Sequence, residues 1–298
     1  MPTNDPRPTK AQRRDDAREK ARQMRIEQER KAKRTRIVAI SALAVALVAL
    51  VGVGAYIFKQ DADNKATYAN VMFAGGSSDA VIPALADTKA PSTASGAYIP
   101  VSKDGVGKAA ASGVTLSIYY DLQCPICAQF DSINAADLDA LAAEDGVTIK
   151  YFPVSFLDQQ SLGTHYSMRA ANAAAIVADK DSANYPKFLT ALFAQQPAEN
   201  TNGLTDDKIA EIAQGVGVPS SVTDTFTDTV DGTYKLTGSD TEQKGTWRTY
   251  APWMESTTNE MQTVIGKVST PTVLIDDKAF TGWQTPGALK AAVEAAKS

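Results

Sequence analysis

The sequence predicts an α/β fold preceded by one helix long enough to cross a membrane. Three observations carry this reading. A β-branched and aromatic run, Val114 to Tyr120 (VTLSIYY), leads straight into a CxxC pair, and apolar positions then recur at helical spacing. A second run, Val147 to Val154 (VTIKYFPV), follows about 25 residues after the pair's motif, enough for the right-handed crossover that two parallel strands need. Finally, the twenty-two residues Ile37 to Phe58 carry no charge and can span a hydrocarbon core of roughly 30 Å as a helix.

The chain's charge is divided along its length. Met1 to Arg36 holds thirteen Lys/Arg against six Asp/Glu, a net of +7, and the remainder is acidic at −11. A basic end beside an acidic body is a membrane address, and the folded part keeps no basic patch for nucleic acid. The leader and the apolar stretch both exceed the lengths usual for a cleaved signal peptide, so a retained anchor is expected. No cysteine stands near the end of that stretch, which excludes a lipoprotein anchor. The basic flank places the N-terminus in the cytoplasm and the large C-terminal part outside. The leader alternates charge signs, as in a solvated or disordered segment, and is assigned no role beyond orientation.

Gln60 to about Gly113 is rich in Ala, Gly, Ser and Asp and reads as a spacer ending in a short strand at Ala97 to Val101. Beyond the β-α-β unit, Ser161 to Lys267 reads as helical almost throughout. Its helices are Tyr166 to Ala178, Tyr185 to Gln195, Asp206 to Gln214 behind an N-capping Thr205, Ser220 to Val230, and Tyr250 to Ile265. Thr272 to Ile275, a tight turn at Asp276 and Asp277, Ala279 to Thr281 and a last helix from Pro286 to Lys297 close the chain. The acidic Asp206 and Asp207 suit a helix N-terminus, His165 suits a cap or the surface, and the three tryptophans suit a core or groove wall.

The chemistry centres on the chain's two cysteines, Cys124 and Cys127. A structural zinc site needs four ligands, and the chain adds only His165 to the pair. A purely structural disulfide closing so short a loop would contribute only about 2 kcal/mol before strain. Redox catalysis explains the spacing: two thiols in the first turn of a helix close an easily reduced disulfide. There Cys124 faces free N–H groups and the positive end of the helix dipole, which favour a thiolate. Cys124 is therefore expected to be exposed and attacking, and Cys127 to be buried and resolving. Pro125 fits the first helical turn, where its missing N–H is no loss. Asp121, three residues upstream, either modulates Cys124 or shapes the turn. Pro271, at the entrance to a predicted strand, is either cis, holding the Thr270 backbone toward a partner, or a trans residue opening an edge strand.

With these residues in place, the chain resembles the DsbA-like thiol:disulfide oxidoreductases of the thioredoxin superfamily, in their membrane-anchored Gram-positive form. The carriers are YYDLQCPIC (Tyr119 to Cys127), YSMRAANAAA (Tyr166 to Ala175), LFAQQP (Leu192 to Pro197), GLTDDKIAEIA (Gly203 to Ala213) and VSTPTVLIDDKAF (Val268 to Phe280). The resemblance implies a thioredoxin fold with an inserted helical domain. Together with the leader, span and spacer read above, it divides the chain into a cytoplasmic leader at 1–36, a transmembrane anchor at 37–58, a spacer at 59–96, a thioredoxin-fold domain at 97–160 and 267–298, and the insert at 161–266. It further implies that Pro271 is cis beside the cysteine pair and that Thr270 lines the peptide groove. Implied partners are exported cysteine-containing proteins and a quinone-linked membrane reoxidant. No cofactor or metal is expected, since the pair carries the electrons. Ile126 stands where Gram-negative DsbA proteins carry histidine, so a weaker oxidant is expected. The rival readings are a reductase or isomerase kept reduced by a membrane electron donor, and a binding or chaperone module with structural cysteines.

Overall fold

The computed structural model describes residues 9–297 and divides into two compact units, Met1–Gln60 and Asp61–Ser298. The first eight residues of the basic leader, and Ser298, lie outside the described residues. Helix α1 (Lys10–Thr67) has no buried residue and includes a stretch long and apolar enough to cross a membrane. In its basic part, pairs one turn apart such as Lys31 with Glu27 (2.8 Å) support the helix along its exposed surface.

The second unit is built on a six-stranded sheet. Its strands are β1 (Ile99–Ser102), β2 (Gly105–Val106), β3 (Val114–Tyr120), β4 (Val147–Pro153), β7 (Thr272–Ile275) and β8 (Lys278–Ala279), in the order β2-β1-β4-β3-β7-β8. The expected parallel pair is present, with Leu116 of β3 opposite Ile149 of β4, and helix α2 (Pro125–Ala142) makes the crossover. β7 runs antiparallel on the other side of β3, Ile118 opposite Val273. β3 is buried along nearly its whole length, which is why it reads as a continuous apolar run. Its start requires glycine: Gly113 has φ +116°, and a Cβ there would lie 2.1 Å from the Gly146 carbonyl oxygen.

Helices α3 (Tyr166–Lys180), α4 (Tyr185–Ala194), α5 (Asp206–Gly215) and α7 (Ala251–Ile265) follow the sequence reading closely, and α8 (Ala288–Ala296) closes the chain. Thr205 caps α5, its hydroxyl accepting from the Lys208 N–H at 3.2 Å. One expected helix, Ser220 to Val230, is mostly absent. Only α6 (Ser220–Thr223) forms, and the chain then turns into a hairpin of β5 (Thr229–Lys235) and β6 (Glu242–Arg248). Val222, Phe226 and Val230 fall four residues apart and imitate a helix face, but Val230 faces Trp247 across the hairpin. The segment 161–266 therefore contains a two-stranded sheet as well as helices.

The spacer reading of 59–96 also needs correction. Residues up to Thr67 continue α1, and Val71, Phe73, Ala74 and Ala80 are buried in the main core. Phe73 packs edge-on against Trp247 with ring centroids 4.7 Å apart, and the Gly96 carbonyl accepts from the Trp253 indole at 2.9 Å. This polar stretch therefore contributes to the folded core, although Val81 within it stays exposed.

Asp206 does more than suit a helix N-terminus. Its carboxylate accepts from Arg169 at 3.0 Å and from Arg248 at 2.8 Å, tying α5 to α3 and to β6. Both guanidinium groups are buried. Asp206→Ala would strand two buried cations and is expected to cost about 3 kcal/mol of stability. Urea unfolding of the full chain in detergent measures this, and a change of under about 1 kcal/mol would show the cluster to be dispensable.

Candidate active site

β3 delivers the chain to a turn that Asp121 closes. Its carboxylate is fully buried and accepts from the Gln123 N–H at 2.8 Å, the Leu157 N–H at 3.0 Å and the Ser167 hydroxyl at 2.6 Å. Burial pushes this carboxyl up to about 7, against the pull of those three donors. Its backbone carbonyl accepts from the Cys124 N–H at 3.0 Å, so the turn hands Cys124 to the start of α2.

Cys124 is the N-cap of α2 and Pro125 takes the first helical position. The Cys127 N–H donates to the Cys124 sulfur at 3.4 Å. From the other side, the Cys124 thiol donates to the Thr270 carbonyl at 3.4 Å, and the Thr270–Pro271 peptide is cis. Sheet pairing of β7 with β3 brings this distant segment to the cysteine pair. Both cysteines are free thiols.

Covering by Thr270 changes one expectation. Cys124 is only 5% exposed, not the open sulfur that the sequence suggested, and the exposed members of the motif are Pro125 and Ile126, the latter at 49%. Cys127 is buried, as expected.

The two thiols are driven in opposite directions. A hydrogen bond from the Cys127 side chain, the Thr270 hydroxyl and the N–H groups of Cys127 and Ile126 pull Cys124 down to about 6, against the effect of its partial burial. Cys127 is pushed up by burial first, and further by the negative sulfur of Cys124 beside it. Ile126 thus contributes through its backbone, while its side chain offers no hydrogen bond.

Cys124, Cys127, Thr270 and Pro271 come together; Asp121 lies behind them and braces the turn. His165 sits apart from this role, its Nδ1 3.7 Å from Asp158 Oδ2. Among the described residues, no group of three or more His, Cys, Asp or Glu side chains is arranged to hold a metal ion. Two side chains at the site had no assigned role in the sequence: Gln196, whose amide donates to the carbonyls of Leu122 and Cys124, and Ser167. LFAQQP and YSMRAANAAA mark Gln196 and Ser167 only as parts of a resemblance, which assigns neither a role.

A family model described as thioredoxin matches residues 104–295. The chain belongs to the thioredoxin family. Within this family its architecture is DsbA-like. The oxidised DsbA of Mycobacterium tuberculosis is 26% identical with a TM-score of 0.50, the match covering 67% of this chain and 93% of that one. MdbA of Actinomyces oris, titled a thiol-disulfide oxidoreductase, has the same fold at 22% identity and a TM-score of 0.52, covering 72% of this chain and 99% of that one. The serine/threonine-protein kinase PknE of Mycobacterium tuberculosis is 37% identical over 123 residues, 39% of this chain and 22% of the kinase. The chain thus spans about a fifth of the length of the curated relatives it matches, and the kinase activity is named for that longer protein. The fold is thus thioredoxin-like with DsbA-like architecture, and the cysteine pair stands at the start of α2.

Two outcomes are expected from these geometries. Alkylation of Cys124 in the reduced full chain should follow a titration centred near pH 6, read by peptide mass after timed iodoacetamide exposure. A midpoint above about 8 would mean that the N–H donors do not act on the sulfur. The raised carboxyl of Asp121 contributes stability that is fully present below about pH 4 and lost as pH rises through about 7. Asp121→Asn should flatten that decline in urea unfolding between pH 5 and pH 8, and an unchanged slope would contradict the assignment. Asp131, raised to about 6 by its own burial, keeps part of the slope in either case.

Proposed function

We propose that this thioredoxin-family protein is a dithiol oxidase that introduces disulfides into exported proteins outside the cytoplasmic membrane. The single observation that carries the direction is the lowering of Cys124 to about 6 beside a Cys127 that is driven up. Stabilising the Cys124 thiolate stabilises the reduced dithiol, and so makes the disulfide form the better oxidant.

The oxidised pair would react in two exchanges. A substrate thiolate attacks Cys124 Sγ, the Cys124–Cys127 bond breaks, and Cys127 leaves with the electron pair and takes up a proton, in keeping with its raised pKa. A second substrate thiolate then attacks the substrate sulfur of the mixed disulfide and expels the Cys124 thiolate. Two electrons pass from substrate to protein, the substrate leaves as a disulfide, and the cysteine pair is left reduced. Thr270 and Pro271, against Cys124, are positioned to receive the substrate backbone beside the sulfur. Exposed Ile126 adds an apolar contact at the same rim.

The basic flank of the apolar span in α1 supports an N-terminus in the cytoplasm and a catalytic unit outside, among exported proteins that carry cysteines. Turnover then requires a membrane partner that accepts two electrons from the reduced pair, and a quinone-linked oxidase fits that chemistry.

Cys127→Ser should accumulate mixed disulfides between Cys124 and exported proteins, visible as reductant-sensitive adducts on non-reducing gels. Acid-trapped wild-type chain from growing cells should be mostly disulfide. A mostly dithiol chain would overturn the oxidase direction in favour of a reductase or isomerase, and failure to trap any adduct would overturn Cys124 as nucleophile.

A further inference from the structure

Gln196 lies just beyond α4, half-buried, with its own N–H held by the Phe193 carbonyl at 3.2 Å. Its side-chain nitrogen donates to two carbonyls of the turn before α2: Leu122 at 2.9 Å and Cys124 at 3.0 Å. The Cys124 carbonyl also accepts from the N–H groups of Cys127 (3.0 Å) and Ala128 (3.2 Å). One of these donors is shared, because the Cys127 N–H also reaches the Cys124 sulfur at 3.4 Å. The carbonyl and the sulfur of one residue therefore compete for a single N–H.

We propose that Gln196 is a positioning residue for the redox thiol: its amide fills the Cys124 carbonyl so that the Cys127 N–H is free to turn to the sulfur. A carbonyl oxygen offers two lone pairs, and Gln196 together with Ala128 occupies them. When Cys124 ionises, the Cys127 N–H moves toward the charged sulfur, where a hydrogen bond is worth more than one to a neutral carbonyl. With Gln196 in place the carbonyl remains satisfied. Without it the same movement leaves a covered carbonyl short of a donor, and ionisation becomes harder. Gln196 touches neither sulfur, so it acts through the Cys124 backbone. The residue comes from the segment inserted between the two β portions, which gives that insert a direct hold on the chemistry.

This inference rests on Cys124 being the redox nucleophile, and the test separates the two. Iodoacetamide labelling of Cys124 is followed by peptide mass from pH 4 to pH 9 in reduced full chain in detergent, for wild type, Gln196→Met and Gln196→Lys, with melting recorded for each. Met keeps the length and removes the donors; Lys restores donors at similar reach. Gln196→Met is expected to raise the Cys124 midpoint by about one pH unit, slowing labelling at pH 6 roughly fivefold, while Gln196→Lys stays at or below wild type. A Met variant with the wild-type midpoint overturns the proposal. So does a Lys variant that rises as far as Met, because loosened packing would then be the cause. If Gln196→Met does not fold, Gln196→Ala is read in the same way. A wild-type chain whose Cys124 ionises like an ordinary thiol defeats the redox reading itself, independently of Gln196.

Discussion

The Cys127 N–H directed at the Cys124 sulfur is the interaction on which the rest of the site depends. A thiol in a covered position is ordinarily driven toward its neutral form, and Cys124 is covered. Donors aimed at the sulfur reverse that here, and the first turn of a helix is where backbone donors are left without partners. Placing the cysteine at the N-cap uses donors that would otherwise need water or a capping side chain. Pro125 helps by supplying a helical φ at a position that needs no N–H.

An N-cap is useful only if the turn before it is fixed, and much of the surrounding structure does this work. Asp121 gathers donors from its own turn, from the loop after β4 and from α3. Gln123 reaches the Gln160 carbonyl at 3.0 Å, and Gln196 approaches from the far end of α4. On the open side, β7 pairs with β3 and so brings Thr270 over the sulfur. The parallel β3–β4 pair and the segment between β4 and β7 are therefore parts of one arrangement: the sheet aims the helix end and the insert braces it.

The parts of this arrangement that the sequence shows are those with short-range signals. β3 and β4 are continuous apolar runs, Cys124 and Pro125 mark a helix start, and Thr205 marks another. The parts it hides are set by contacts between distant residues. Val71 and Phe73 look like strays in a polar linker until Trp247 is placed beside them. Val222, Phe226 and Val230 satisfy a helical spacing, and only the pairing of Thr229–Lys235 with Glu242–Arg248 decides for strand. The covering of Cys124 was hidden for the same reason, since Thr270 is 146 residues away and reaches it through the β7–β3 register.

The absence of a histidine side chain at Ile126 gives the site its particular electrostatic character. The groups that pull Cys124 down are neutral hydrogen-bond donors: the Cys127 and Thr270 side chains and two backbone N–H groups. Fixed dipoles of this kind hold a charge through short contacts and orientation, and salt screens them less than it screens a pair of exposed ions. The two backbone N–H groups also stay in place when the sulfur is neutral or joined to another sulfur, whereas a titrating imidazole would change its own charge over the same pH range. Leaving an exposed apolar side chain at Ile126 then has a benefit at the rim, where an incoming peptide can cover it without first desolvating a charge. The site thus separates two features that a histidine would combine: neutral donors stabilise the thiolate, and the side chain at Ile126 is left exposed and apolar.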